Sequence, residues 1–456
     1  SLDWDESVKI QGADPDFHRR DLWEAIEAGA YPEWELSFQM FTEEQAERFS
    51  FDVLDATKLV PEELVPLTPV GRMVLNRNPD NFFAETEQVA FCAAHVVPGI
   101  DFTNDPLLAG RIHSYQDTQI SRLGGPNFHE IPINAAVTQV HNNQREGMHR
   151  QAIHRGRVAY EPNSLAGGCP FQAGKAGFTS FREPIEADKV RGNGEKFAEH
   201  YAQATLFWNS QTPIEKAHIL RGFRFELTKV QVPAIRKRVV SMLLNVDQQL
   251  AEMLAKELGM ELPEPMPKAL KKPVKPELES SPALSIFSQP GAGSIRTRRV
   301  AIFVADGIDG DAAKALHSAL AQEGAVPRYI GPRLGTVVTK DGDTLEAEVT
   351  FETMPGVLFD AVVVPGGRDA IKLLGNVGQA VEFLTEQYRH AKPLLALGCG
   401  GDLLEAAGAS PVLPSGEPDP GVLIEKDDDA AAALPAFIAA IAAHRHFARQ
   451  MDPPPV

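Results

Sequence analysis

The chain has 456 residues, 43% hydrophobic and 23% charged, which is ordinary for globular protein and long enough for two or three domains. A formal charge of −18 argues against nucleic acid and anionic membranes as partners, and no apolar run approaches the ~20 residues that span a bilayer. Cys92, Cys169 and Cys399 are too few and too scattered for a disulfide framework, which favours a reducing, cytoplasmic compartment.

Residues 14–29 read as a helix, with Asp14 as cap, Pro15 in the first turn and Gly29 as the stop. Trp34 to Phe41 and Arg48 to Leu54 alternate apolar and polar side chains, which predicts half-buried strands, and Val70 to Leu75 predicts another. A helix over about 105–123 follows and is ended by Gly124, Gly125 and Pro126. On it Arg111, Tyr115, Thr118 and Arg122 recur at spacings of four, three and four, within roughly 60° of arc. One stripe therefore carries a phenol flanked by two guanidinium groups. Opposite charge favours the phenolate, a hard donor that suits ferric iron, and Arg122 is placed to pair with a carboxylate. Taken alone, the stripe has a plainer reading: a core tyrosine and solvated arginines on an amphipathic helix.

From about 136 to 210 the chain is polar and glycine-rich with little periodicity, a segment expected to wrap a neighbouring subunit. Thr212, Pro213 and Glu215 form a helix start, and Val239, Val240, Leu243, Leu244, Leu250, Met253, Leu254 and Leu258 recur with the period of packed helices. Prolines 263, 265, 267, 273, 276, 282 and 290 mark an extended linker over 261–297. The texture then changes. Arg299 to Ala305, Asp360 to Gly367 and Pro393 to Leu397 are short buried strands, with a helix from about Asp311 to Glu323. That alternation predicts a parallel sheet covered on both faces. Cys399 falls on a strand-to-helix turn between Gly398 and Gly400.

Asn76 to Gln88, Val97 to Arg111 and Asn127 to Asn134, with the stripe between them, resemble the haem-proximal region of monofunctional haem catalases of the large-subunit branch. The likeness runs from about Asp14 to about Leu258 and implies dismutation of hydrogen peroxide to water and oxygen. It implies haem, of b or oxidised d type, in a homotetramer. Tyrosine is the known axial ligand of catalase haem, and the resemblance places Tyr115 in that role. Arg111 becomes its charge partner and Arg122 a propionate contact, with Thr118 and Gln119 also at the haem. His113 stands where the family usually has an aromatic residue, off the stripe. Cys92 lies where some members have a histidine bonded to the proximal tyrosine, so it is a candidate for a thioether to Tyr115. Its other reading is a small buried hydrophobe.

The family's distal histidine and asparagine find no match among the thirteen histidines, and His141, His149 and His154 fit no familiar metal spacing. The chain opens at Ser1 without an initiator methionine, and is expected to be the proximal and C-terminal portion of a larger enzyme, with an upstream signal left open. The expected fold is α+β: part of the catalase barrel with the haem helix over 1–135, the wrapping segment, and helices over 211–260. Residues 298–449 resemble the flavodoxin-like domain that large-subunit catalases append, itself similar to the class I glutamine amidotransferase-like superfamily. There the position of Cys399 carries a reactive cysteine. Gly400, however, stands where many hydrolytic relatives have histidine, and no acidic partner is evident near Gly307 to Asp311. A vestigial fold used for assembly is the reading preferred. The resemblance also implies that the appended domain covers the surface where small-subunit relatives bind NADPH, so no nucleotide is expected. Three functions therefore compete: a haem catalase, a haem-holding or assembly fragment without turnover, and a thiol-dependent activity at Cys399.

Overall fold

The computed structural model describes residues 2–97, 99–138, 146–157, 163–165, 168–169, 171–174, 180–186, 188, 190–192, 194–270, 272, 274–288, 293–427 and 429–455. His141, Pro273 and Pro290 lie outside the described residues. Two compact units emerge, one of residues 1–34, 204–267 and 278–456, the other of 35–203 and 268–277.

The chain begins with α1 (Trp4–Ala13), a helix the sequence reading did not anticipate; the Asp3 carboxylate caps it by accepting from Glu6 N at 2.8 Å. α2 (Phe17–Glu27) starts three residues later than expected. Asp14 does not cap it but turns back onto Asp16 N and the Arg20 guanidinium, while Gly29, at φ +74°, ends the helix as predicted.

β1 (Glu33–Phe38), α3 (Glu43–Arg48) and β2 (Thr68–Val74) come next, and among the described residues of 1–135 the β1–β2 pair is the one sheet. The strand expected at 48–54 does not form. The alternating Phe49 and Phe51 instead stack on each other with centroids 5.0 Å apart. Asp52 and Asp55 accept from Leu54 N and Thr57 N, and such side-chain-to-backbone bonds compete with a strand ladder. α4 (Pro106–Leu123) is the helix predicted over 105–123.

The segment expected to be irregular to 210 becomes helical earlier, at α5 (Ala202–Ser210), which buries Leu206 and Trp208. α6 (Pro213–Lys229) opens on the predicted signal: Thr212 and Glu215 form both halves of a capping box. With α7 (Pro233–Leu243) and α8 (Gln248–Glu257) it surrounds a core of Trp208, Leu227, Val240, Leu250 and Leu254. Described parts of the proline-rich stretch that follows are tied to these helices. Ser241 Oγ and Asn245 Nδ2 donate to the carbonyls of Glu264 and Met266, and the Glu215 carboxylate accepts from Ile286 N at 2.8 Å.

The C-terminal elements are β3 (Arg299–Phe303), α9 (Gly310–Gln322), β4 (Val326–Gly331), β5 (Gly335–Val338), β6 (Thr344–Ala347), β7 (Val349–Thr350), β8 (Ala361–Val364), α10 (Arg368–Gly375), α11 (Gly378–Arg389), β9 (Leu394–Leu397), α12 (Gly400–Ala406), β10 (Val422–Glu425), α13 (Ala430–Ala442) and α14 (Ala448–Met451). Six strands form one parallel sheet in the order β10-β9-β8-β3-β4-β7, and β5 and β6 make an antiparallel hairpin beside it. Every residue of β8 and β9 is buried, because α9 with α13, and α10 with α11 and α12, form two helical layers. Among the described residues, no helix is long and apolar enough to cross a membrane.

Candidate functional site

Local sequence explains why α4 presents the stripe as it does. The Asp105 carboxylate accepts from Leu107 N at 2.8 Å, Pro106 takes the first turn, and Gly124, at φ +82°, closes the helix by donating to Ile120 O. Tyr115 is half-buried on this helix. Arg111 Nη2 donates to its phenol oxygen at 3.2 Å, and the guanidinium carbon lies 5.0 Å from the ring centroid. The Phe91 ring meets Tyr115 edge-on at 5.2 Å. Thr118 and His113 are exposed.

The other half of the stripe does something the sequence did not reveal. Arg122 directs Nη1 to Glu87 O at 2.6 Å and Nη2 to Val89 O and to Gln119 Oε1. Gln119, only 4% exposed, donates to Phe91 O at 2.9 Å. Asn134 accepts from Ala90 N and donates to Gln88 O, both at 2.8 Å. Arg122 and Gln119 thus hold the 87–91 backbone against α4, Asn134 ties it to the segment after the helix, and that backbone sets the Phe91 ring on Tyr115. The partners lie 28 to 46 residues apart, so no local pattern signals them.

Cys92 is half-buried, and its thiol points at Gln116 Oε1 from 4.0 Å, one residue along α4 from Tyr115. His154 bonds Glu130 at 3.2 Å, and Arg150 pairs with the same carboxylate at 2.6 Å. Burial works against that charge, but donation from Gln151 N, His154 and Ala152 N holds the Glu130 carboxyl below its usual range. His149 is exposed and takes no part in that cluster. Among the described residues, no group of three or more His, Cys, Asp or Glu is arranged to hold a metal ion.

Cys399 lies on the expected strand-to-helix turn. Its backbone is ordinary right-handed helical (φ −70°, ψ −4°), without the strain of a nucleophile elbow. Gly400 has a steric reason to be glycine: a Cβ there would sit 2.5 Å from Val364 O, so no histidine side chain fits. Cys399 opens on a cavity of about 250 Å³ with Arg368, Lys372 and Asp402 among its lining residues, and no imidazole among them. The two loops flanking the crevice where open α/β sheets bind ligands meet directly. At the strand-order reversal between β3 and β8, Asp309 N donates to Gly366 O at 2.8 Å, and a Cβ on Gly367 would lie 2.4 Å from Gly307 O.

A phenol-bearing helix with an apposed guanidinium, followed by a helical segment and a parallel α/β domain, has counterparts among known proteins. Residues 1–167 match the family model described as catalase, 194–258 one described as catalase-related immune-responsive, and 296–451 one described as the C-terminal domain found in long catalases. The chain is 48% identical to catalase HPII of Pseudomonas putida over 99% of its own length and 62% of that protein's. It is 49% identical to catalase HPII of Pseudomonas aeruginosa, covering 93% of the chain and 58% of the relative. Catalase-2 of Bacillus subtilis is 47% identical over 99% and 64% respectively. The chain belongs to the long, large-subunit catalases. It spans about three fifths of the length of these curated relatives.

Proposed function

We propose that this chain serves a haem catalase, dismutating hydrogen peroxide to water and oxygen, with Tyr115 as the haem-iron ligand. The observation that carries the reading is the Arg111-to-Tyr115 hydrogen bond of 3.2 Å, on a helix within the segment that matches the catalase model. The donor set fits the group. A phenol oxygen that accepts one guanidinium N–H keeps acceptor capacity for a metal. Bound haem supplies the redox chemistry on peroxide. The chain's residues hold and orient: Tyr115 offers oxygen, Arg111 bonds that oxygen, and Phe91 fixes the ring. Gln119 and Arg122 secure Phe91, so Arg122 is read here as a positioning residue in place of a propionate contact, and Thr118 stays on the stripe's exposed edge. The β1–β2 pair is read as part of the catalase barrel. If the edge strand β7 is set aside, the sheet order becomes 2-1-3-4-5, which supports a flavodoxin-like reading of the C-terminal domain. Homotetrameric assembly belongs to the same reading.

Titration of the chain with haem tests this. A Soret band is the expected result, and oxygen evolution from peroxide beside it would assign turnover to this chain. A Soret band without turnover would favour a haem-holding role, and no Soret band would remove Tyr115 from iron ligation.

Cys92 carries a second expectation. Peroxide oxidation of its thiol against the Tyr115 ring forms one C–S bond and releases two hydrogens as water, with peroxide as the oxidant. After peroxide exposure of the haem-loaded chain, peptide mass spectrometry should find a linked Cys92–Tyr115 pair two hydrogens lighter than its parts. Unlinked peptides alone would sink the crosslink.

A further inference from the structure

α1 touches two parts of its unit at once. Trp4 stacks on Phe225 of α6 with centroids 4.9 Å apart, and position 222 is glycine where a Cβ would meet the indole nitrogen at 2.8 Å. The next residues engage the α/β domain. Asp5 Oδ2 lies 2.8 Å from His390 Nε2, and Glu6 Oε1 lies 3.0 Å from Lys392 Nζ and 2.8 Å from Arg445 Nη2. Lys9 pairs with Glu386 at 3.0 Å, and Ile10 enters the sheet's apolar core.

His390 is the unusual member. Its side chain is fully buried, Nε2 donates to Asp5, and Nδ1 has no partner among the described residues. That pattern fits the neutral imidazole with its proton on Nε2. A second proton would add a buried N–H with no acceptor, close to the Lys392 ammonium. We propose that α1 is an acid-released clasp, which holds the α/β domain to α6 at neutral pH and lets go when His390 takes up a second proton.

The groups facing His390 set the sign. Asp3, Asp5 and Glu6 on α1 favour its cation, and Lys392 on its own segment opposes it. Lys9, Glu386, Arg389 and Arg445 flank these carboxylates. Burial outweighs the carboxylates and holds the docked imidazole below its ordinary 6.5. The released form therefore binds more protons below that pH, and docking weakens as pH falls. Asp5 and Glu6 are held below the usual carboxylate range despite burial: Asp5 by its bond to His390, Glu6 by the Lys392 charge. They add to the loss in the same direction at still lower pH.

Hydrogen exchange of the full chain at pH 7.5 and 5.5, corrected for intrinsic rates, reads the clasp directly. Opening of residues 3–13 should rise about tenfold at pH 5.5, the factor that titration of a released imidazole allows, with the core amides of α13 unchanged. His390→Gln, which cannot take the proton, should reduce that rise to less than about twofold. Glu6→Gln, which leaves Lys392 and Arg445 without their carboxylate, should raise opening at both pH values by roughly tenfold or more. Equal protection of wild-type α1 at the two pH values would overturn the proposal. So would a rise that survives in His390→Gln, or α1 exchange in Glu6→Gln that matches wild type.

Discussion

Tyr115→Phe should leave the chain folded and abolish normal haem incorporation. The phenyl ring keeps its place on α4 and its edge-on contact with Phe91, so packing changes little. What goes is one oxygen, and with it the acceptor that Arg111 Nη2 meets at 3.2 Å. Arg111 is exposed, so water replaces that bond and the stability change stays within about 0.5 kcal/mol. No other atom of the stripe offers iron a hard anionic donor: Thr118 carries an alcohol, and Arg111 and Arg122 only donate hydrogen bonds. The measurement is the Soret spectrum and the haem-to-protein ratio of the purified variant beside its urea midpoint. An unchanged spectrum and ratio would remove Tyr115 as the ligand. A lowered midpoint would show that the oxygen matters to folding instead.

How much of this was legible in the sequence depended on how far apart the partners lie. α4 was bounded correctly because its signals are local: Asp105 and Pro106 at one end, Gly124 and Gly125 at the other. The buried runs of β8 and β9 announced a covered parallel sheet for the same reason. Arg48 to Leu54 misled because alternation marks one buried side of any extended segment. The Asp52 and Asp55 turns prevent a ladder there. α1 went unseen because its apolar and charged positions make sense only against residues 385 and 439 positions away. Arg122 shows the limit most clearly. Its place on the stripe was right, yet spacing gives no view of the Glu87 and Val89 carbonyls that meet it across the site. Gly400 stands where hydrolytic relatives have histidine, and the structure gives the reason: the Val364 carbonyl leaves no room for a side chain.

Asp419→Ala should cost the C-terminal domain a large share of its stability. Arg449 is 2% exposed, and its guanidinium is held on every side. Nε and Nη2 donate to the Asp419 carboxylate, Nη1 donates to Lys392 O at 2.7 Å and to Tyr388 O at 3.2 Å, and the Tyr388 ring lies 4.7 Å below. Even the neighbouring glycine answers to this pair, since a Cβ on Gly421 would lie 2.3 Å from Arg449 Nη2. Removing the carboxylate leaves a buried cation without its counter-ion, a change that costs about 3–5 kcal/mol. That is a large share of the ~5–15 kcal/mol by which domains are usually stable. The contrast is Glu44→Ala on α3: its partner Arg48 lies one turn away, both side chains are more than two-thirds exposed, and the loss stays below about 1 kcal/mol. Hydrogen exchange in the full chain measures both, on the β8 and β9 amides for Asp419→Ala and on the α4 amides, in the same unit as Glu44, for Glu44→Ala. The free energy of opening should fall by about 3–5 kcal/mol in the first and by less than about 1 kcal/mol in the second. Equal, small losses in the two variants would mean that water or a rearranged α14 compensates Arg449, and that the buried pair does not hold this end of the domain.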